Sequence, residues 1–160
     1  MKITPKQNSN IQNVDFNNLK FGAIFSDHML ICQYKNGRWG EAEIMPYQPL
    51  PMYPGTQALH YGQSVFEGMK AFKTDDGKVV TFRAEDNFKR LNTSAKRLCI
   101  PEIPEEIFME GLHEILRLDA VWVKAGDNFS LYVRPFIFAS GQCIKATISD
   151  EYTFMIICSP

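Results

Sequence analysis

The apolar residues change their spacing twice along this chain, from period two to a helical period and back, and that double switch limits the fold more than any other feature. Two apolar runs, Phe66 to Lys73 and Lys78 to Phe82, flank Thr74-Asp75-Asp76-Gly77, an Asp-Gly turn that specifies a β-hairpin. An earlier hairpin is predicted where His28 to Tyr34 and Trp39 to Met45 flank Lys35-Asn36-Gly37. Residues 46–55 carry four prolines and a glycine, so they form an irregular connection. From Glu85 the spacing becomes helical: Phe88, Leu91, Ala95 and Leu98 form a stripe that Pro101 ends. Pro104-Glu105-Glu106 opens a second helix, with acids at the positive end of its dipole and Ile107, Phe108, Leu112, Ile115 and Leu116 as its buried face. Period two returns in SLYVRPFIFA (130–139), and the apolar run YTFMIICS follows. Strands, two helices and strands joined by hairpins predict an α+β layer, a largely antiparallel sheet with both helices packed on one side.

The chain is long enough for one domain with a sizeable core, and its twelve Phe supply large rings to fill it. Residues 1–15 are polar and rich in Asn and Gln, which predicts a loosely held arm ahead of a domain over 16–160. The apolar strand at 152–159 has no polar tail after it, the pattern expected at an interdomain boundary. A formal net charge of -1, with no basic cluster, argues against nucleic acid as a partner. The N-terminus lacks the layout of a secretory signal and no apolar run reaches membrane-spanning length, so a cytoplasmic protein without a membrane partner is expected. Cys32, Cys99, Cys143 and Cys158, like His28, His60 and His113, are dispersed, which predicts reduced thiols, mostly small core residues, and no metal site.

Arg134 stands out. Alternation puts it on one strand face with Tyr132, Phe136 and Phe138, while Leu131, Val133, Pro135 and Ile137 share the other. A guanidinium among rings must meet an anion, pair with a neighbour or reach water along the strand, and spacing alone does not choose. If it serves a ligand, that ligand is a carboxylate, with Tyr132 as a second donor. Arg90 lies one step off the helical stripe, where spacing alone predicts a solvated side chain. Tyr61, before Gly62, is as suited to a core as to a cavity edge. Nucleophile-elbow, phosphate-loop, dinucleotide and zinc-protease motifs are all absent, and Lys70, Lys73 and Lys78 read as solvated strand-edge charges.

The string LHYGQSVFEGMKAFKTDDG (59–77), preceded by FGAIFSDHML and followed by SLYVRP, resembles the branched-chain amino acid aminotransferases, class IV pyridoxal-phosphate enzymes of fold type IV. The likeness runs from about Phe21 to Pro160. It implies that the chain is the small N-terminal domain, with pyridoxal 5'-phosphate lying between it and a larger C-terminal domain. The lysine that carries the cofactor would come from that second domain, so no catalytic residue is expected in this chain and the isolated chain is expected to be inactive. By the same resemblance Arg90 contacts the cofactor phosphate, against the reading from spacing, and Tyr61 helps orient the substrate carboxylate. Phe21 and Phe66 wall the pocket for a branched side chain, while Tyr132 and Arg134 receive the distal carboxylate of glutamate or 2-oxoglutarate. The implied reaction is transfer of an amino group from Leu, Ile or Val to 2-oxoglutarate by a homodimer or larger homo-oligomer. A D-amino acid aminotransferase, an aminodeoxychorismate lyase and a non-enzymatic assembly module are the alternatives. The long arm before FGAIFSDHML and the string FEGMKAF favour the branched-chain type.

Overall fold

The computed structural model describes residues 1–160. Nine strands form one sheet: β1 (Lys2–Ile3), β2 (His28–Lys35), β3 (Arg38–Trp39), β4 (Glu43–Pro46), β5 (Ser64–Phe66), β6 (Met69–Lys73), β7 (Val79–Thr81), β8 (Leu131–Ala139) and β9 (Tyr152–Ser159). The order across the sheet is β1-β4-β2-β9-β8-β6-β7, with β3 paired to β2 and β5 to β8. All pairings are antiparallel except β1 with β4. The helices are α1 (Gln57–Tyr61), α2 (Ala84–Arg97) and α3 (Glu105–Leu118). No helix is long and apolar enough to cross a membrane.

The α+β architecture and both hairpins match the expectation from spacing, with four differences of detail, the first being that the run from Trp39 to Met45 splits into β3 and β4 around residues 40–42. The run from Phe66 to Lys73 is two strands, because the ladder opens at Glu67-Gly68, although Glu67 N–H still donates to the Pro135 carbonyl at 2.8 Å. A short third helix, α1, follows the proline-rich connection and ends on Gly62, whose φ of 63° suits the left-handed C-cap. Pro104 caps α3 in an extended conformation instead of occupying its first turn.

α2 and α3 cover one face of the sheet. Leu91 and Ala95 of α2 and Phe108, Leu112 and Ile115 of α3 meet Leu30, Val133, Ile137, Phe154 and Ile156 in a single buried cluster. Phe108 links the layers, its ring centroid 5.4 Å from that of Phe88 and 6.0 Å from that of Phe154. β9 is buried on both faces along most of its length, which is why it reads as an unbroken apolar run while β8 alternates. Gly111 brings α3 onto β2 so closely that a Cβ there would overlap the end of the Leu30 side chain. Gly111→Val is therefore expected to cost about 1–3 kcal/mol of stability through overpacking, read as a lower denaturation midpoint with an unchanged slope. A wild-type midpoint would mean that α3 does not seat on Leu30.

The N-terminal segment departs most from expectation. Far from hanging loose, it is held by side chains that a linear reading cannot bring together. Lys2 and Ile3 extend the sheet beside β4, and Lys6 N–H donates to His28 Nε2 at 2.9 Å. Buried Asp27 receives the Ser9 hydroxyl, Asn10 N–H at 3.0 Å, Trp122 Nε1–H at 2.8 Å and the Lys6 ammonium at 3.1 Å. Burial alone would push the Asp27 carboxyl up, but these donors outweigh it and hold it below the usual aspartate range. A carboxyl depressed on folding adds stability that is complete above its unfolded value, about 4, and is lost as pH falls through the folded value. Hydrogen exchange, corrected for intrinsic rates, is expected to show residues 2–13 losing protection between about pH 5 and about pH 3. Equal protection at both would contradict an arm anchored on Asp27.

Candidate functional site

The face of β8 turned away from the helices carries Tyr132, Arg134, Phe136 and Phe138, each half-buried. Because β5 lies antiparallel to β8 with Phe66 opposite Phe136, Phe66 projects on that same face. The Arg134 guanidinium lies 4.3 Å from the Phe66 ring centroid and 5.2 Å from that of Tyr132. Its Nη2 and Nε donate to the Tyr132 hydroxyl at 2.7 and 3.2 Å. Phe21 meets Tyr132 edge to face, with ring centroids 5.2 Å apart. No acidic side chain pairs with Arg134, so of the fates open to it from spacing the structure selects a guanidinium laid on rings with N–H groups to spare. Phe21 and Phe66 remain 74% and 62% exposed, which leaves an apolar wall open to a ligand.

Gly68 makes room for this arrangement: a Cβ there would overlap the Tyr132 hydroxyl. Lys70 stands opposite Tyr132 on the same face and is exposed. Tyr61 closes one end of α1, and its hydroxyl donates to the Ile144 carbonyl, fastening the 140–148 loop beside the strand. Ile144 itself is 75% exposed. The structure thus gathers Phe21, Phe66, Tyr132 and Arg134 into one cluster and leaves Tyr61 engaged with a backbone carbonyl.

Arg90 is elsewhere. It projects from α2, on the helix side of the sheet, and grips Glu67 in a two-bonded pair: Nε to Oε1 and Nη2 to Oε2, both at 2.6 Å. Register alternation aligns Glu67 with Pro135, an inward position, and its side chain is buried. Asn87 Nδ2 adds a bond to the same carboxylate at 2.9 Å. Burial works against ionising Glu67, but the bonds from Arg90 and Asn87 hold its carboxyl below the usual glutamate range, and Glu67 in turn raises Arg90. The Arg90 side chain is 67% exposed, so the half of the guanidinium that Glu67 leaves unused faces solvent. One strand segment, Phe66-Glu67-Gly68, therefore joins the two groups: Phe66 serves Arg134, Glu67 serves Arg90 and Gly68 admits Tyr132.

Spacing missed Glu67, Asn87 and Gly68. A signal existed for one of them, since an acid at an inward strand position requires a buried partner.

No protein-family model matches the chain. Among curated proteins it is similar to branched-chain-amino-acid aminotransferase 2 of Bacillus subtilis, 45% identical over 147 residues, which is 91% of this chain and 40% of the relative. It is 44% identical over 142 residues to the branched-chain-amino-acid aminotransferase of Mycolicibacterium smegmatis, covering 88% of this chain and 39% of that one. The chain spans about two-fifths of the length of the curated relatives it matches. Among solved structures, the Escherichia coli branched-chain amino acid aminotransferase superposes with a TM-score of 0.58 at 27% identity, covering 81% of this chain and 39% of the other. The T.th. branched-chain amino acid aminotransferase in complex with N-(5'-phosphopyridoxyl)-L-glutamate gives 0.56 at 29% identity, covering 79% and 39%.

Proposed function

We propose that this chain is the N-terminal portion of a branched-chain aminotransferase, in which it selects the substrate and holds the cofactor phosphate. The observation that carries the reading is the cluster itself: Arg134 is laid on Phe66, bonded to Tyr132 and unpaired with any acid, beside the exposed ring of Phe21. Such a face suits two kinds of ligand at one place. The rings of Phe21 and Phe66 take a branched aliphatic side chain. The free N–H groups of Arg134 and the Tyr132 hydroxyl take the second carboxylate of glutamate or 2-oxoglutarate.

The residues present also fit pyridoxal 5'-phosphate. Glu67 occupies one side of the Arg90 guanidinium and leaves the outer N–H groups exposed to a phosphate. When bound, the cofactor supplies the electron sink on which amino-group transfer depends. This chain's share is to bind and orient. Arg90 anchors the phosphate, Tyr61 reaches the substrate carboxylate after leaving the Ile144 carbonyl, and the ring wall excludes water from the aliphatic side chain. The lysine that carries the cofactor and moves the α-proton belongs to the C-terminal domain. In this reading the enzyme is a cytoplasmic homo-oligomer, and the rest of the protein covers the exposed Phe21, Phe66 and Ile144.

The test is to mix the purified chain with pyridoxal phosphate, reduce with borohydride and map adducts by mass spectrometry. Scattered labelling well below one per chain is expected, followed by leucine transamination once the C-terminal domain is supplied. Stoichiometric labelling of Lys70, which shares the Tyr132 face, would give this chain its own cofactor-bearing lysine and end the reading. Activity of the completed enzyme on D-alanine but not leucine would assign a different class IV enzyme.

A further inference from the structure

We infer that Glu67 is a positioning residue, holding the Arg90 guanidinium so that its end-on N–H pair points outward as a phosphate cradle. The inference rests on the reading of Arg90 as the phosphate contact. It adds a residue to which neither spacing nor resemblance gave a role.

A guanidinium carries five N–H groups arranged as forks, and an exposed arginine ordinarily samples many rotamers. Here two of the five, on Nε and Nη2, are taken side-on by one carboxylate at 2.6 Å each. The three left lie on Nη1 and the far side of Nη2, the pair suited to a second, two-point acceptor. Glu67 is itself fixed. It is 4% exposed, its N–H bonds Pro135 and its carboxylate takes Asn87, whose amide also donates to the Gly68 carbonyl at 3.4 Å. The buried acid anchors the exposed base, and the orientation is set by the strand and not by solvent. Through Gly68 the same segment borders Tyr132, so the phosphate contact and the carboxylate contact are indexed to one piece of backbone.

A carboxylate next to a phosphate site also acts as a competing negative charge, and the two roles predict opposite outcomes. If orientation dominates, Glu67→Gln and Glu67→Asp both weaken phosphate binding, the first by breaking one of two bonds and the second by falling short. If charge dominates, Glu67→Gln binds phosphate more tightly and Glu67→Asp resembles wild type.

The experiment follows the Arg90 Nε–H signal by nitrogen-15 NMR in the 160-residue chain and titrates inorganic phosphate. In wild type a resolved, slowly exchanging Nε–H is expected. In both Glu67 variants it should merge with the exposed arginines, and phosphate affinity should fall roughly threefold or more. An unchanged Arg90 signal, or the charge-dominated pattern, would overturn the inference. Asn87→Ala, which loosens Glu67 without touching Arg90, should give the same change in milder form if the Glu67 variants fold poorly. Arg90→Leu, which removes the charge, separates the two claims. Phosphate-induced shifts that persist there would remove Arg90 from the phosphate site, while the Nε–H signal in the Glu67 variants would still decide whether Glu67 orients it.

Discussion

Replacing Asp119 by alanine is expected to destabilise the protein by about 3–5 kcal/mol, because it strands two buried donors at once. Asp119 has no exposed surface, and its carboxylate receives the His28 N–H at 3.2 Å and the His28 ring Nδ1 at 2.6 Å. The tautomer follows from the other ring nitrogen. Nε2 accepts the Lys6 N–H, so it carries the lone pair and Nδ1 carries the proton given to Asp119. Alanine leaves both His28 donors facing a hydrocarbon gap beneath β2. Typical domains are stable by only about 5–15 kcal/mol, so much of the total is at stake. Chemical denaturation gives the measurement. Asp119→Asn, which keeps one acceptor, should fall between wild type and alanine, and a loss under about 1 kcal/mol in the alanine variant would show that water satisfies His28.

The second large effect concerns substrate choice. On the proposed function, Arg134→Leu in the full-length enzyme is expected to lower kcat/KM for glutamate and 2-oxoglutarate by about a hundredfold or more, and for leucine by only a few-fold. The leucine side chain keeps contact with Phe66 but supplies no donor, so a second carboxylate would enter the site unpaired. The Tyr132 hydroxyl also loses the two bonds that steady it over Gly68. Steady-state kinetics on both substrate classes decide the matter. An equal fall for leucine and glutamate would mean that Arg134 organises the strand face without choosing between ligands.

The parts of this fold that sequence makes readable are those whose cause is local. The Asp75-Asp76-Gly77 turn, the stripe of Phe88, Leu91 and Ala95, and the alternation from Leu131 to Ala139 each follow from steric or periodic rules acting over a few residues. The uninterrupted apolar run at 152–159 likewise announces a strand covered on both faces. What stays hidden is set by register. Nothing near Asp27 in the chain indicates that Trp122, 95 positions away, will donate to it, and so the polar arm reads as loose when it is pinned. The site divides in the same way. Alternation marks Arg134 as a charge among rings, but its seat on Phe66 depends on how β5 aligns with β8. Arg90 reads as solvated because its partner lies 23 positions earlier, on a strand whose inward side only the sheet defines. The roles proposed for Phe21, Tyr61 and Phe66 rest on resemblance, since nothing in their spacing distinguishes a pocket wall from a core.

β9 lies between β2 and β8, and the register pairs it with both along nearly its whole length. During synthesis it is the last of the nine strands to leave the ribosome, yet it is the seam that joins the two halves of the sheet. Until then the β2–β4 hairpin and the β5–β8 group each keep an edge with no strand partner, and the packing of α2 and α3 bridges them. Sealing the sheet is therefore a step that rests on contacts distant in sequence.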